Sequence, residues 1–203
     1  SLGTAAIICA LLSTLPGAAV AESLSGGAAV AKTPATSPKD GVVTNYVTGC
    51  RNKPTKEANC DKLRKDAIEI LKEDLHTLGS SANHRYFYTI LRIFKSDEPE
   101  LRIAAADAIG MIGPQDQDVD LLAPLTNDPV PDVRSAVLQM LKRGTHAYIP
   151  TILKFFKRDE PAVRIAAADA IGMIGPEDGD AELLAPVTND PVPDVMRAVM
   201  QMI

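Results

Sequence analysis

The segment RIAAADAIGMIGP, Arg102–Pro114, occurs a second time without any change at Arg164–Pro176. The two copies begin 62 residues apart, and the similarity extends well beyond them, since residues 84–141 match residues 146–203 at 41 of 58 positions. A duplicated block of this length is typical of repeat architectures, in which each unit buries its apolar face against the next. The sequence therefore predicts a repeat protein.

Each 62-residue block is itself double. A motif Pro-x-(Leu/Val)-Arg begins at Pro99, and its counterparts begin at Pro131, Pro161 and Pro193, the last with Met196 in place of the arginine. These prolines are 32, 30 and 32 residues apart, so the underlying unit has about 31 residues, a length that suits one helical hairpin. We expect four hairpins stacked side by side.

The alanine-rich run of each unit is predicted to be the second helix of its hairpin. In the first unit, small and aliphatic residues recur at helical spacing, at Leu101, Ala105, Ala108 and Ile112. Pro99 fits the first turn, and Asp97 is a candidate N-cap. Gly113, followed by a proline, ends the helix.

The first helix of each unit is expected at residues 86–95, 119–126, 148–157 and 181–188. Three of these runs contain an internal proline, at Pro124, Pro150 and Pro186. Proline lacks the N–H group that a helix interior requires, so these runs are predicted to kink or to start early.

The pattern D-x-P-x-(L/V)-R-x-A-A-x-A-(I/L)-G resembles the short HEAT-like repeats that are also found in phycobilisome lyase subunits, and it covers residues 84–203. The resemblance implies an all-α fold, a right-handed α-solenoid of stacked helical hairpins. It also implies a structural ladder, in which the turn aspartate of one unit bonds a helix arginine of the same or the next unit. The ladder residues would be Asp97, Asp128, Asp159 and Asp190 with Arg102, Arg134 and Arg164.

The same resemblance places the second helices along the concave side of the solenoid. Their solvent-facing positions should repeat along it, and one such position is occupied in turn by Asp107, Gln139, Asp169 and Gln201. A polar, mildly acidic strip of this kind suits an extended segment or a basic surface of a partner protein. The alternative is that these side chains only solvate the helices or bond between units.

The N-terminal segment Ser1–Ala21 has an apolar run and an A-x-A site, as a secretory signal peptide does. We therefore expect an exported protein, periplasmic or extracellular, without stable membrane insertion after cleavage. Ala29-Val30-Ala31 repeats the A-x-A pattern, so cleavage after Ala31 is an alternative. Residues 22–54 are predicted to contain a flexible linker, rich in small residues and proline, and the start of a disulfide loop.

Cys50 and Cys60 form an isolated cysteine pair, which in an exported chain favours a disulfide; two reduced thiols are the alternative. Residues 55–79 follow as a strongly amphipathic helix with Gly79 as its stop signal, suited to cap the first repeat. The sequence ends on apolar helical residues, and further repeats are expected to follow.

Several functions are disfavoured by the sequence. A net charge of −5 gives no footprint for nucleic acid. Asp116, Asp118 and Asp120 alternate like the start of a calcium loop, but the glycine and glutamate that complete such a loop are replaced. No nucleophile or phosphate motif stands out, so we predict no catalytic residue, cofactor or metal. The leading interpretation is an exported scaffold that binds another protein. The alternatives are an enzyme subunit similar to the phycobilin lyases and a structural spacer of a larger extracellular protein.

Overall fold

The computed structural model describes residues 58–157 and 160–202. Within these residues the chain has nine α-helices and no β-strand, so the predicted all-α solenoid is confirmed. The helices are α1 Ala58–Ser80, α2 Phe87–Leu91, α3 Pro99–Ile112, α4 Val119–Leu122, α5 Pro131–Leu141, α6 Ile149–Ile152, α7 Pro161–Ile174, α8 Ala181–Leu184 and α9 Pro193–Met202.

The second helices are α3, α5, α7 and α9, and each begins at the proline of its motif, as predicted. The N-cap of α3 is Glu98 rather than Asp97, and its side chain makes no capping bond. The expectation for Asp97 was therefore wrong. The backbone of Gly113 has φ 88°, a value that L side chains rarely adopt, so glycine is suited to end α3 here.

The first helices differ from the straight or kinked helices that were predicted. Each consists of a 3₁₀ turn, one short α-helical turn and a second 3₁₀ segment, for example His84–Tyr86, Phe87–Leu91 and Arg92–Lys95. The first unit has no internal proline and is broken in the same way as the units with Pro124 and Pro150. Proline is therefore compatible with the interruption but does not cause it.

The helix α1 packs lengthwise on α3, with Ala67, Leu71, Leu75 and Leu78 in the core. Gly79 does not stop the helix, which continues to Ser80. A methyl group on Gly79 would lie 2.7 Å from Cα of Ala108, so this glycine allows the two helices to approach closely.

The helix α1 and the four second helices form a row. In this row α1 packs on α3, α3 on α5, and α7 on α9, while α5 and α7 contact each other less extensively. In the first three units the first helix or its 3₁₀ segment packs on the second helix of the same unit, which places the first helices in another layer. Alanines at the second-helix contacts, such as Ala105 and Ala167, are fully buried. Small side chains at these positions let the helix axes come close together.

Candidate partner-binding surface

The helix arginines reach across the joints between successive units. Arg102 donates from Nε to Oδ2 of Asp128 at 2.8 Å and from Nη2 to Oδ1 at 3.1 Å, and Arg164 makes the same two contacts with Asp190 at 2.7 and 3.2 Å. The side chains of both pairs are about nine-tenths buried. Each aspartate also accepts from a backbone N–H two residues later in its own turn.

The arginine between these two pairs uses a different partner. Arg134 donates to the carbonyl oxygens of Asp128 and Pro129 and to Oε1 of Glu160, the last at 3.3 Å. Asp159, which was predicted to serve here, lies outside the described residues. Odd-numbered units thus offer a glutamate just before the motif proline, whereas even-numbered units offer an aspartate three residues before it.

Asp97 is exposed and is not brought to any of the ladder arginines. The next residue, Glu98, joins the first unit to α1. Its carboxylate accepts hydrogen bonds from Nε of Arg64 at 2.7 Å and from Nη2 of the same arginine. Sequence reasoning missed this pair because α1 carries no copy of the repeat motif. Arg64 nevertheless precedes Glu98 by 34 residues, close to the length of one unit.

Two histidine–aspartate pairs were also missed. His84 contacts Oδ2 of Asp118 through Nε2 at 2.9 Å, and His146 contacts Oδ2 of Asp180 in the same way. Both aspartates are buried and accept a second bond from the backbone at the start of their own turn. The constant spacing of 34 residues from histidine to aspartate, present in both halves, is the signal that could have found them.

The alternating acids around Asp118 do not converge on one point. Asp118 points inward to its histidine, whereas the exposed Asp116 accepts from the hydroxyl of Thr145. In the part of the chain that the structure describes, no group of three or more histidine, cysteine, aspartate or glutamate side chains could hold a metal ion. These acids therefore serve as turn and joint residues.

The buried carboxylates at these joints give a prediction for the stability of the protein at low pH. The pKa of Asp180 is lowered, first by the backbone N–H of Glu177 and also by His146, against the opposing effect of burial. Burial alone would raise the pKa of Asp190, but the bonds from Arg164 and Val192 outweigh it and lower the pKa. Both carboxylates are therefore stabilised in the folded state.

A carboxylate whose pKa is lower in the folded state contributes stability above its unfolded value, 3.8 for these groups, and loses it as the pH falls through the folded value. We expect the free energy of unfolding, measured by urea denaturation, to decrease steadily below about pH 5. The substitution Asp180→Asn should flatten this decrease. The control Asp178→Asn, on the exposed side of the same turn, should keep the parent slope; equal slopes for the two variants would contradict the assignment.

The predicted strip residues Asp107, Gln139, Asp169 and Gln201 are all exposed, one on each second helix. Three of them, Gln139, Asp169 and Gln201, line a groove of about 500 Å³ that crosses α5, α7 and α9. The groove also contains Lys142, Met173 and Met202, and a floor of alanines and Gly172. Asp107 does not line this groove.

The groove opens at the joint between α5 and α7, where the two helices contact each other less extensively than α1 contacts α3. Gly79 of α1 touches Ala108 of α3, and the residue 62 positions after Gly79 is Leu141 of α5. Leu141 is fully buried, so α5 has a large buried side chain at the position where α1 has a glycine.

Asp107, in the first of the two identical 13-residue segments, lies near a positive charge. Burial raises the pKa of Asp107, and the positive charge of Arg143 offsets part of this effect. Arg143 also lies against Gly110, three residues further along α3. The first acid of the strip therefore has a cationic neighbour within the chain.

The geometry defines the class of this protein as an α-solenoid built from helical hairpins with a ladder of arginine–carboxylate pairs at its joints. A family model for HEAT repeats matches residues 56–142 and 119–203. The chain therefore belongs to the HEAT repeat family. None of the curated proteins compared with it matches. The family match includes α1, which the sequence motif alone had left outside the repeats.

HEAT repeats generally mediate protein interaction, and the groove is a recessed part of the second-helix surface among the described residues. Among the described helices, none combines the length and the apolar character that a bilayer span requires. Of the two cysteines predicted to form a disulfide, Cys50 lies outside the described residues and Cys60 is buried on α1.

Proposed function

We propose that this chain is an exported scaffold that binds another protein along its second helices, with the groove across α5, α7 and α9 as the main contact. The observation that carries the proposal is the meeting of Gln139, Asp169 and Gln201 in one recess. Export rests on the signal-like sequence of Ser1–Ala21, and binding rather than catalysis is proposed as the activity.

The groove combines features that protein partners use. Glutamine amides both donate and accept hydrogen bonds, so Gln139 and Gln201 can pair with the backbone of an extended segment. Asp169 adds a carboxylate, and Met173, which is 67% exposed, adds a flexible apolar side chain. Polar groups around an adaptable apolar centre are typical of peptide-binding surfaces.

Position-specific cross-linking tests the proposal. A photoreactive amino acid in place of Met173 should cross-link one defined partner protein in an extract of the native cells. The same group in place of Tyr88, which is 57% exposed on the first-helix layer, is the matched control and should give no such product. The substitution Asp169→Lys should reduce the Met173 product severalfold while the helical circular-dichroism signal is kept.

Equal products from both positions, or a Met173 product that survives Asp169→Lys unchanged, would place the partner elsewhere. The absence of any specific product in the native extract would argue for the spacer interpretation instead.

A further inference from the structure

The layer of first helices has a regular pattern of charge. Its four segments, residues 84–95, 116–127, 146–157 and 178–187, alternate between basic and acidic composition. The first and third contain no aspartate or glutamate, and the second and fourth contain no lysine, arginine or histidine. The exposed charges recur at matching positions in the two halves of the chain: Arg92 and Lys95 with Lys154 and Lys157, and Asp116 and Asp120 with Asp178 and Glu182.

The exposed residues of a segment lie on the side that faces away from the second helices. In the first segment Phe87 and Ile90 are buried in the core, whereas Tyr88, Arg92 and Lys95 are exposed. The exposed residues are three or four positions apart, so they share one face of the helical segment. Successive units therefore present positive, negative, positive and negative surfaces along this layer.

Large apolar side chains lie between these charges. Leu121 and Leu183 occupy the same position in the two acidic segments and are 41% and 47% exposed, and Tyr88 in the first basic segment is 57% exposed. Another unit follows Leu121, and its exposure is nevertheless close to that of Leu183. The exposure is therefore a property of the position within the unit. Apolar side chains surrounded by charged residues are typical of protein interfaces.

We infer that this layer binds the same layer of a second copy of the chain, with the two copies running in opposite directions. A two-fold axis between the second and third units places the first segment of each copy on the fourth of the other, and the second on the third. Every basic segment then faces an acidic one. The spacing of the units agrees because both copies have the same repeat length.

The order of the charges selects this arrangement over the other pairings of two copies. Copies that run in the same direction and in register would place basic segments on basic ones, which is repulsive. A shift by one unit would match the charges but leave segments free to bind further copies, giving an open filament. Within residues 58–157 and 160–202, the exposed charges of this layer form no ion pair in the chain itself.

The same arrangement brings apolar side chains to both parts of the contact. At the centre, Leu121 of one copy faces the segment with Pro150 of the second copy, and at each end Tyr88 faces the segment with Leu183 of the second copy. The second helices remain on the two outer sides of the dimer. This inference goes beyond the proposed function, because it concerns the opposite layer and leaves the groove of each copy free.

Sedimentation velocity over a series of concentrations tests the inference. At low salt the chain should form dimers and no larger species, and the dissociation constant should rise with salt, because salt screens the charges that meet across the contact. A chain that stays monomeric throughout the series at low salt would overturn the inference. Species that grow beyond a dimer would overturn the two-fold pairing.

Charge reversal at the centre of the contact tests the pairing of the second unit with the third. The variant Lys154→Glu, Lys157→Glu should raise the dissociation constant at least about tenfold, and so should Asp116→Lys, Asp120→Lys, because each places like charges together. A mixture of the two variants should dimerise again, since every central contact then joins opposite charges. A mixture that stays monomeric would contradict this pairing.

The matched control is Lys62→Glu, Lys65→Glu. Both lysines are exposed on α1, in the row of second helices, and the change in net charge is the same. This variant should keep the dissociation constant of the parent. An equal loss in the control would show that net charge, and not the first-helix layer, governs association; circular dichroism establishes that each variant is folded.

The inference and the proposed function fail separately. A monomeric chain that still cross-links a partner through Met173 would leave the scaffold function standing and remove the dimer. A photoreactive group in place of Tyr88 should give a product that contains two copies of the chain and has twice its mass, which separates it from any partner product.

Discussion

Replacing Arg102 with alanine should lower the free energy of unfolding by about 3–5 kcal/mol, because it breaks a buried ion pair and leaves Asp128 behind. The side chains of Arg102 and Asp128 are only 9% and 10% exposed. The arginine also donates to the carbonyl oxygen of Ser96 at 2.8 Å, so one substitution loosens the turns of two successive units. Urea denaturation followed by circular dichroism measures the change.

The matched control is Arg197→Ala. Arg197 forms an ion pair with Asp194 at 3.0 Å, but both side chains are about two-thirds exposed. Exposed pairs are screened by water and salt, so this variant should stay within about 0.5 kcal/mol of the parent. Comparable losses for the two variants would mean that burial does not set the strength of the ladder.

A second comparison separates the loss of the ion pair from the cost of leaving the Asp128 carboxylate buried without its partner. The double variant Arg102→Ala, Asp128→Ala removes the stranded carboxylate as well, so it should be less destabilised than the sum of the two single variants. Additive losses would show that the two side chains act independently and would contradict their assignment as a ladder pair.

The repeat units and their second helices could be predicted because each depends on local sequence. Pro99 and Gly113 mark the start and the end of α3 through backbone conformations that neighbouring residues do not change. The alanine stripe then leaves one face for packing. An exact internal copy doubles this information, since every feature of α3 recurs in α7.

The acidic partners of the ladder arginines could be only partly predicted, because the position of the acidic residue relative to the motif proline changes between units. The tandem Asp-Glu before Pro99 places the carboxylate that contacts Arg64 at Glu98, one residue after the predicted aspartate. The first helices were expected at the right places, but their division into short 3₁₀ and α-helical turns was not predicted. Two of these 3₁₀ turns are joined by the contact of His84 with Asp118, residues that lie far apart in the sequence.

The groove could not be predicted, because it depends on the distance between two helices. The sequence placed Gln139, Asp169 and Gln201 on one face but gave equal weight to Asp107. In the structure α5 and α7 contact each other less extensively than the other neighbouring helices of the row do, and Asp107 does not line the recess between them.

The close approach of α1 to α3 gives the second large prediction, which is that Gly79→Ala destabilises the protein. Alanine is normally favoured over glycine inside a helix by about 1 kcal/mol. Here the added methyl group would lie 2.7 Å from Cα and 2.9 Å from the carbonyl oxygen of Ala108. These are backbone atoms of a packed helix, so they cannot rotate away as a side chain can.

The clash must therefore be relieved by moving α1 as a whole away from α3. This movement would weaken the contacts of Leu75 and Leu78, both buried on the same face of α1. Overpacking of this kind costs about 1–3 kcal/mol, which exceeds the gain in helix propensity. We expect a net loss in the free energy of unfolding, measured by urea denaturation.

Two other glycines of the same protein serve as controls for Gly79→Ala. A methyl group on Gly110 would lie 3.4 Å from the nearest backbone atom, Cα of Met140, and one on Gly179 would meet nothing within 4 Å. Gly110→Ala should therefore have a much smaller effect than Gly79→Ala, and Gly179→Ala almost none. A Gly79→Ala variant as stable as the parent would show that α1 can move off α3 at little cost. The close packing of α1 on α3 would then not depend on the absence of a side chain at residue 79.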